Sequence, residues 1–512
     1  MTVKIILLLV FFATMISVGI YSRKHATNVN DFVLGGRSVG PWLSAFAYGT
    51  SYFSAVVFVG YAGQFGWKYG IASTWIGLGN AFIGSLLAWV LMGRRTRVMT
   101  RHLDAKTMPE FFGKRYDSKA LKIVASVIAF IFLIPYTASV YNGLSSLFNM
   151  AFNIEYKYCV IAMAVLTGVY VILGGYMATA INDFIQGIIM LVGIVCVISA
   201  VLSGQGGFLE AIRKLSEIPS DVPATMGQQG AFTSFFGADP LNLVGVIILT
   251  SLGTLGLPQM VQKFYAIKSE KAVKTGTIVS TVFAIIISGG CYFLGGFGRL
   301  FDNPSIYKED GGVLYDSIIP SMLSTLPDIL IGVVIVLVLS ASMSTLSSLV
   351  LTSSSTFTLD FLKDTVIKNM SDKKQLLIMR ILIVFFIVMS VIIALDPPDF
   401  IAQLMGISWG ALAGAFLAPF LYGLFWKGVT KAAVWVNFVF AVGITVSNMY
   451  LKFIASPINC GAVAMVGGLL IVPLVSLLTP KLSAEKMDKV FACYEESVNV
   501  KKLTSLQEEE EN

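Results

Sequence analysis

Roughly thirteen runs of about 20 apolar residues, separated by short polar turns, make up almost all of this chain. They fall at roughly 4–22, 42–66, 71–93, 121–148, 158–174, 181–202, 241–261, 273–297, 327–357, 376–395, 399–426, 432–451 and 460–479. Each is long enough to cross the hydrocarbon core of a bilayer at about 1.5 Å rise per residue. Within lipid a spanning backbone must satisfy its own hydrogen bonds, which runs of this length do as helices. The sequence therefore predicts an all-α polytopic membrane protein. With 56% hydrophobic and 13% charged residues, spans packed this closely leave no room for a separate soluble domain.

The net charge of +7 reports topology and does not indicate nucleic-acid binding. With the N-terminus outside, about 28 of the 36 Lys and Arg face one side of the membrane. The richest loop runs from Arg94, Arg95 and Arg97 through Arg101 to Lys122, followed by Lys263–Lys274, Lys363–Lys374 and the tail after Pro480. The positive-inside rule puts these segments in the cytoplasm, and an odd number of spans agrees. The first run lacks a strongly basic n-region, and no small-residue cleavage site precedes Ser22, Arg23 and Lys24, so it reads as a span. Cys159, Cys196, Cys291, Cys460 and Cys493 have neither metal nor redox spacing and read as small apolar packing. His25 and His102 fall in basic loops, which excludes histidine-based catalysis and an intramembrane histidine metal site. No glycine-rich phosphate loop with its Lys is present, so ATP is not the expected energy source.

Two spans look interrupted. In Trp42–Gly66 the stretch Tyr48-Gly49-Thr50-Ser51-Tyr52-Phe53-Ser54 breaks the apolar run. In Leu241–Val261 the stretch Thr250-Ser251-Leu252-Gly253-Thr254-Leu255-Gly256-Leu257-Pro258 does the same. Gly and small hydroxyl residues lower helix propensity, and Pro258 removes a backbone donor. Unwound backbone at membrane depth survives only where it is buried in protein or lines a cavity, and its freed carbonyls can hold an ion or solute. Four spans separate the two breaks, so they would open two consecutive five-helix repeats, as in an inverted-repeat transporter. Gly and Pro are common in membrane helices generally; the joint position of the breaks is what points to transport.

A third anomaly is Ser340-Ala341-Ser342-Met343-Ser344-Thr345-Leu346-Ser347-Ser348, which follows an apolar stretch, Ile331 to Leu339. At helical spacing Ser344, Ser347 and Ser348 share a face, and Thr345 stands over the carbonyl of Ala341. One isolated hydroxyl would simply back-bond to its own i−4 carbonyl. A cluster this dense, in a chain that also carries an intramembrane Asp, offers neutral oxygens to a small hard cation. That carboxylate is Asp183, which opens the span Ile181–Leu202. It reads either as a helix N-terminal cap or as an ion ligand at the depth of Ser344–Ser348.

The remaining polar segments are quieter. Residues 203–240 form the largest outside loop, with a short surface helix at Phe208–Leu215, and Phe301–Gly312 reads as a polar turn. Glu508 to Glu511 is a solvated charge run in the tail.

Leu34-Gly35-Gly36-Arg37-Ser38, the first broken span, Gly174-Gly175 to Asp183, Gly256-Leu257-Pro258 and Met343-Ser344-Thr345-Leu346-Ser347 together resemble the bacterial sodium/solute symporter family. The likeness covers nearly the whole chain in the same order and implies a LeuT-type 5+5 inverted-repeat core. It implies a sodium ion held by the backbone carbonyls of Thr50, Phe53 and Ala341 with the hydroxyls of Ser344 and Thr345. By resemblance to the family's sialic acid transporters, Asp183, Ser344, Ser347 and Ser348 would form a second sodium site. Sodium/proline symporters carry an Asp where this chain has Tyr52, and a Trp and a Tyr where it has Thr250 and Thr254. The Arg that sialic acid transporters use for the substrate carboxylate is absent from Pro135–Asn142. The segments Asn182–Gly193 and Gly256–Gln259 look closest to sodium/pantothenate symporters.

These readings converge on a secondary active transporter in the cell membrane, coupling inward sodium flow to uptake of a small organic anion, such as pantothenate or a monocarboxylate, or an amino acid such as proline. The expected layout is a first span and loop (1–40), a first repeat (41–202), the outside loop (203–240), a second repeat (241–426), two further spans (427–479) and a cytoplasmic tail (480–512). Candidate solute contacts are Ser51, Tyr52, Ser54, Tyr136, Tyr141, Thr254, Gln403 and Trp409, as aromatic walls with a few aimed polar groups. Neither enzymatic chemistry nor a cofactor beyond the sodium ion is expected. The alternative is a transporter-fold sensor or receptor; its tail of about 33 residues is too short for an attached domain, so it would need a partner chain.

Overall fold

The computed structural model describes residues 2–152, 155–367, 369–396 and 401–494. The charge run at Glu508–Glu511 lies outside them. The described chain is almost wholly helical, with isolated bridges pairing Val39 with Ile267 and Tyr307 with Val313.

Ten helices among the described residues are long and apolar enough to cross a membrane, or eleven if the bent pair Pro240–Gly256 and Pro258–Ala266 is one span. This differs from the thirteen runs in the sequence for a physical reason. Two of the continuous segments, Val56–His102 with 47 residues and Tyr156–Gly204 with 49, are about twice the length that one crossing needs. Each contains a glycine in a backbone conformation that L side chains resist, Gly70 at φ 65° and Gly175 at φ 54°. Gly175 divides Tyr156–Gly204 into two pieces each long enough to cross, whereas Gly70 cuts off Val56–Tyr69, the second half of the first broken span.

Local chemistry explains where the spans begin. Pro41 and Pro240 occupy the first helical turn, where a missing N–H is harmless. Asp239, Ser269 and Thr430 each accept a backbone N–H at the start of a helix. Apolar side chains such as Val192, Ile381 and Leu470 remain exposed on the spans, as a lipid-facing belt requires. Close helix crossings rely on glycine: a Cβ on Gly66 would lie 2.0 Å from the carbonyl oxygen of Gly295.

Both interruptions are present. The helix Pro41–Tyr52 stops at Phe53, which is extended at φ −87°, ψ 120°, and helical structure resumes from Ala55. The second break is narrower than the sequence suggested. Thr250 through Gly256 stay α-helical, and the chain turns only at Leu257 (φ −81°, ψ 126°), bending the pair by 44°. The neighbouring Pro258 supplies the cause, because it has no N–H to continue the ladder.

The helix Asp328–Thr356 passes through the middle of the bundle, and every residue from Leu337 to Thr356 is buried. Asp183 lies more than two turns beyond Gly175 and is fully buried, too deep in its helix to act as an N-terminal cap. A short helix at 484–494 folds the start of the tail back onto the basic loop: Arg115 donates to Met487 Sδ and stacks on Phe491, while Lys486 pairs with Asp117.

Candidate ion and solute sites

Where the first helix stops, its last carbonyls lose their intrahelical partners. Four oxygens, the carbonyls of Thr50, Ser51, Phe53 and Ala341, converge on Thr345 Oγ1 at 3.4, 3.3, 3.2 and 3.1 Å. The neighbouring Ser344 Oγ lies 3.0 Å from both Thr50 O and Ala341 O. A hydroxyl has one proton to donate, so two hydroxyls cannot satisfy this set of acceptors. The surplus of oxygen over hydrogen is the electrostatic description of a cation site. Oxygens at about 2.4 Å from a common cation stand about 3.4 Å apart when at right angles, close to the spacing seen here. Thr50, Phe53, Ala341, Ser344 and Thr345 are thus brought together, and all are buried.

The second predicted set is only partly assembled. Ser347 Oγ donates to Ser344 O at 2.9 Å, and Ser344 faces the first cluster. Ser348 instead meets Ser51 Oγ at 2.8 Å and accepts from the ammonium of Lys263 at 2.9 Å. That ammonium also stands 3.7 Å from Asp183 Oδ2 and 5.1 Å from the ring centre of Tyr176. No hydroxyl or amide donates to either carboxylate oxygen of Asp183 among the described residues. Lys263, read from sequence as the start of a cytoplasmic loop, is 2% exposed and lies within the helix Pro258–Ala266. It was missed because a lysine a few residues past a proline at the end of an apolar run looks like an ordinary positive-inside charge. Its burial follows from the lateness of the break, which carries the helix on to Ala266.

On the other side of the first break, the rings of Tyr52 and Tyr136 each lie 5.8 Å from Trp409. The hydroxyls of Tyr52, Tyr61, Tyr136 and Tyr292 and the indole N–H of Trp409 are buried without a well-aligned partner. A buried donor left unmade carries a penalty of about 1–3 kcal/mol, which a polar solute reaching these groups would relieve. Asn80 joins the helices nearby, donating to Ser288 Oγ at 3.1 Å and accepting from Ser251 Oγ at 3.2 Å. Tyr61, Asn80, Ser288 and Tyr292 were missed because single polar groups within apolar runs look like packing.

Other predicted solute contacts point elsewhere. Ser51 serves the Lys263 cluster, and Ser54 Oγ accepts the N–H of Val56 where helix resumes. Thr254 donates to Gly84 O at 3.0 Å and Ser251 O at 2.9 Å. It borders, with Tyr48 and Asn80, a cavity of about 10 Å³, the size of one water. Tyr141 is buried and Gln403 half-buried.

Two arginines each tie together backbone from separate elements. Arg37 donates to Ala105 O at 2.6 Å and to Tyr265 O at 3.4 Å. Arg299 donates to Trp67 O at 2.7 Å and pairs with Asp221 at 2.6 Å. Arg299 borders a vestibule of about 500 Å³ that Lys68, Asp239 and Tyr315 also line.

Comparison with known proteins identifies the family and the fold. The family model described as the sodium:solute symporter family matches residues 32–439. The osmoregulated proline transporter OpuE of Bacillus subtilis (strain 168) is 29% identical over 436 residues, covering 84% of this chain and 86% of the relative. A sodium/proline symporter of Staphylococcus aureus (strain JH9) is 30% identical over 439 residues, covering 83% and 82%. Among solved structures, a Na+-coupled sialic acid symporter, substrate-bound and outward-open, aligns with a TM-score of 0.74 at 17% identity, over 94% of this chain and 99% of that one. That likeness establishes the LeuT-type fold.

Proposed function

The chain belongs to the sodium:solute symporter family, and we propose that it couples entry of one sodium ion at Thr50, Phe53, Ala341, Ser344 and Thr345 to uptake of a small carboxylate-bearing solute. Transport, multiple membrane spans and sodium as the coupling ion come with membership, and the chain is not an enzyme. The observation that carries the ion assignment is the convergence of four carbonyls on the single hydroxyl of Thr345. An ion there would bridge the first broken helix to the central helix Asp328–Thr356. Binding would favour the state in which that contact is closed, and loss of the ion would release it. Linkage of this kind is typically worth about 1–3 kcal/mol.

The solute would sit among Tyr52, Tyr136, Tyr292 and Trp409, whose unmatched O–H and N–H donors suit a carboxylate. Asp183, Ser344, Ser347 and Ser348 are the candidate second cation position, of which Ser348 and Asp183 meet at Lys263. Orientation with the N-terminus outside is supported by the basic loop Arg94–Lys122 and by the tail helix docked on it.

The test is uptake into proteoliposomes under an inward sodium gradient. Labelled proline comes first because the relatives named above transport it, followed by pantothenate and short monocarboxylates. Accumulation of one of them with sodium, and none with potassium, is expected. Equal accumulation without sodium would overturn the assignment.

A further inference from the structure

Asp183 and Ser348 form a position that calls for a cation, and the chain supplies one itself. We infer that the ammonium of Lys263 is the resident cation of this second site, so that the protein binds one diffusible sodium ion. The inference rests on the sodium reading of the first cluster and adds to it what fills the neighbouring one.

Three observations carry it. Lys263 Nζ lies 2.9 Å from Ser348 Oγ and 3.7 Å from Asp183 Oδ2, and both residues are buried. Asp183 has no donor on either oxygen among the described residues, so the lysine is the group that answers its charge. The ring of Tyr176 stands behind the ammonium at 5.1 Å, a distance at which an aromatic face attracts a cation. An ion at Asp183 and Ser348 would have to share their oxygens with Nζ, at a separation where like charges repel strongly.

The tether also changes the mechanics. Lys263 rides on the half-helix after the second break, whereas Ser348 and Asp183 belong to Asp328–Thr356 and to the segment after Gly175. Ser51, hydrogen-bonded to Ser348, brings in the first broken helix. A diffusible ion here would add its own gradient to the driving force. A side chain cannot leave, so it holds both broken helices to the central helix without drawing on the gradient. The drive per solute is then that of one sodium.

The experiment is equilibrium binding of ²²Na⁺ to the purified full chain in lipid, alongside the sodium dependence of uptake. One sodium per chain and a Hill slope near one are expected for the parent. Lys263→Ala and Lys263→Gln, which free Asp183, should bind a second sodium and raise the slope above one. Lys263→Arg should keep one. Two sodium ions in the parent would overturn the inference whether or not any variant folds. So would a folded Lys263→Ala or Lys263→Gln that still binds only one. Absence of any sodium binding to the parent would instead remove the sodium reading of the first cluster.

Discussion

The hydroxyl of Thr345 lies 3.2 Å from the carbonyl oxygen of Phe53, 292 residues earlier in the chain. Phe53 is the extended residue that ends the first half-helix, so a single side-chain oxygen on the central helix meets backbone that only the break exposes. Thr345→Ala removes that oxygen while leaving helix propensity no worse. The sodium concentration for half-maximal uptake should rise about tenfold, the equivalent of about 1.4 kcal/mol for one lost ligand. Ser344→Ala should act in the same direction, and Thr345→Ser should remain near the parent. Normal uptake by both alanine variants at limiting sodium would place the coupling ion elsewhere.

Solute recognition should separate from sodium dependence. Tyr136 and Tyr52 both pack against Trp409 with hydroxyls that lack aligned partners. Tyr136→Phe and Tyr52→Phe keep the ring and delete only the donor. Each should weaken apparent solute affinity by about 1–2 kcal/mol, roughly 5- to 30-fold, if the donor meets the solute. The half-maximal sodium concentration, measured at saturating solute, should shift far less. Thr254→Val should affect solute less than either, because its hydroxyl is already spent on Gly84 and Ser251. A larger effect at Thr254 than at both tyrosines would move the solute across the first broken helix.

The parts of this architecture that were legible in the sequence are those written locally. Span-length apolar runs, the glycine and hydroxyl residues at Tyr48–Ser54 and the spacing of Ser344 and Thr345 each depend on neighbouring residues. Their physics, helix propensity and lipid burial, acts over one or two turns. What escaped depends on tertiary placement. Proline at 258 fixed a break, but only packing decides that the helix runs intact to Gly256 and resumes as far as Ala266. That decision turns Lys263 from a loop charge into the partner of Asp183. The aromatic group shows the same limit, since a tyrosine in an apolar run reads identically whether its hydroxyl finds a carbonyl, as Tyr170 does at Met343, or remains unmatched, as at Tyr292.

Helix crossings that depend on glycine should tolerate no methyl group. A Cβ on Gly66 would stand 2.0 Å from Gly295 O and 2.7 Å from Gly296 N, both rigid backbone. Overpacking of this kind commonly destabilises by about 1–3 kcal/mol, and more where backbone must move. Gly66→Ala should therefore lower the thermal midpoint in detergent and reduce folded yield. Gly204→Ala, where nothing lies within 4 Å of the added atom, is the control and should match the parent. Equal midpoints for the two would mean that the crossing is looser than the backbone contact indicates.

The pair Lys263 and Asp183 makes a prediction about stability that is independent of transport. Both side chains are buried, with the ammonium 3.7 Å from the carboxylate. Breaking one side of a buried ion pair strands the other charge and destabilises by about 3–5 kcal/mol, whereas replacing both partners is often nearly neutral. Asp183→Asn keeps the shape and removes the charge, leaving Lys263 with only the Ser348 hydroxyl and the Tyr176 ring. It should unfold at a markedly lower temperature than the parent. Adding Lys263→Met to Asp183→Asn removes the stranded ammonium and keeps an unbranched chain of similar length. The double variant should recover most of the lost stability, giving a favourable coupling in the double-mutant cycle. Lys263→Met alone strands the carboxylate instead, and sodium in the buffer should then stabilise it more than it stabilises the parent. Simple additivity of the two substitutions, measured by thermal unfolding in sodium-free buffer, would show that the two charges do not rely on each other.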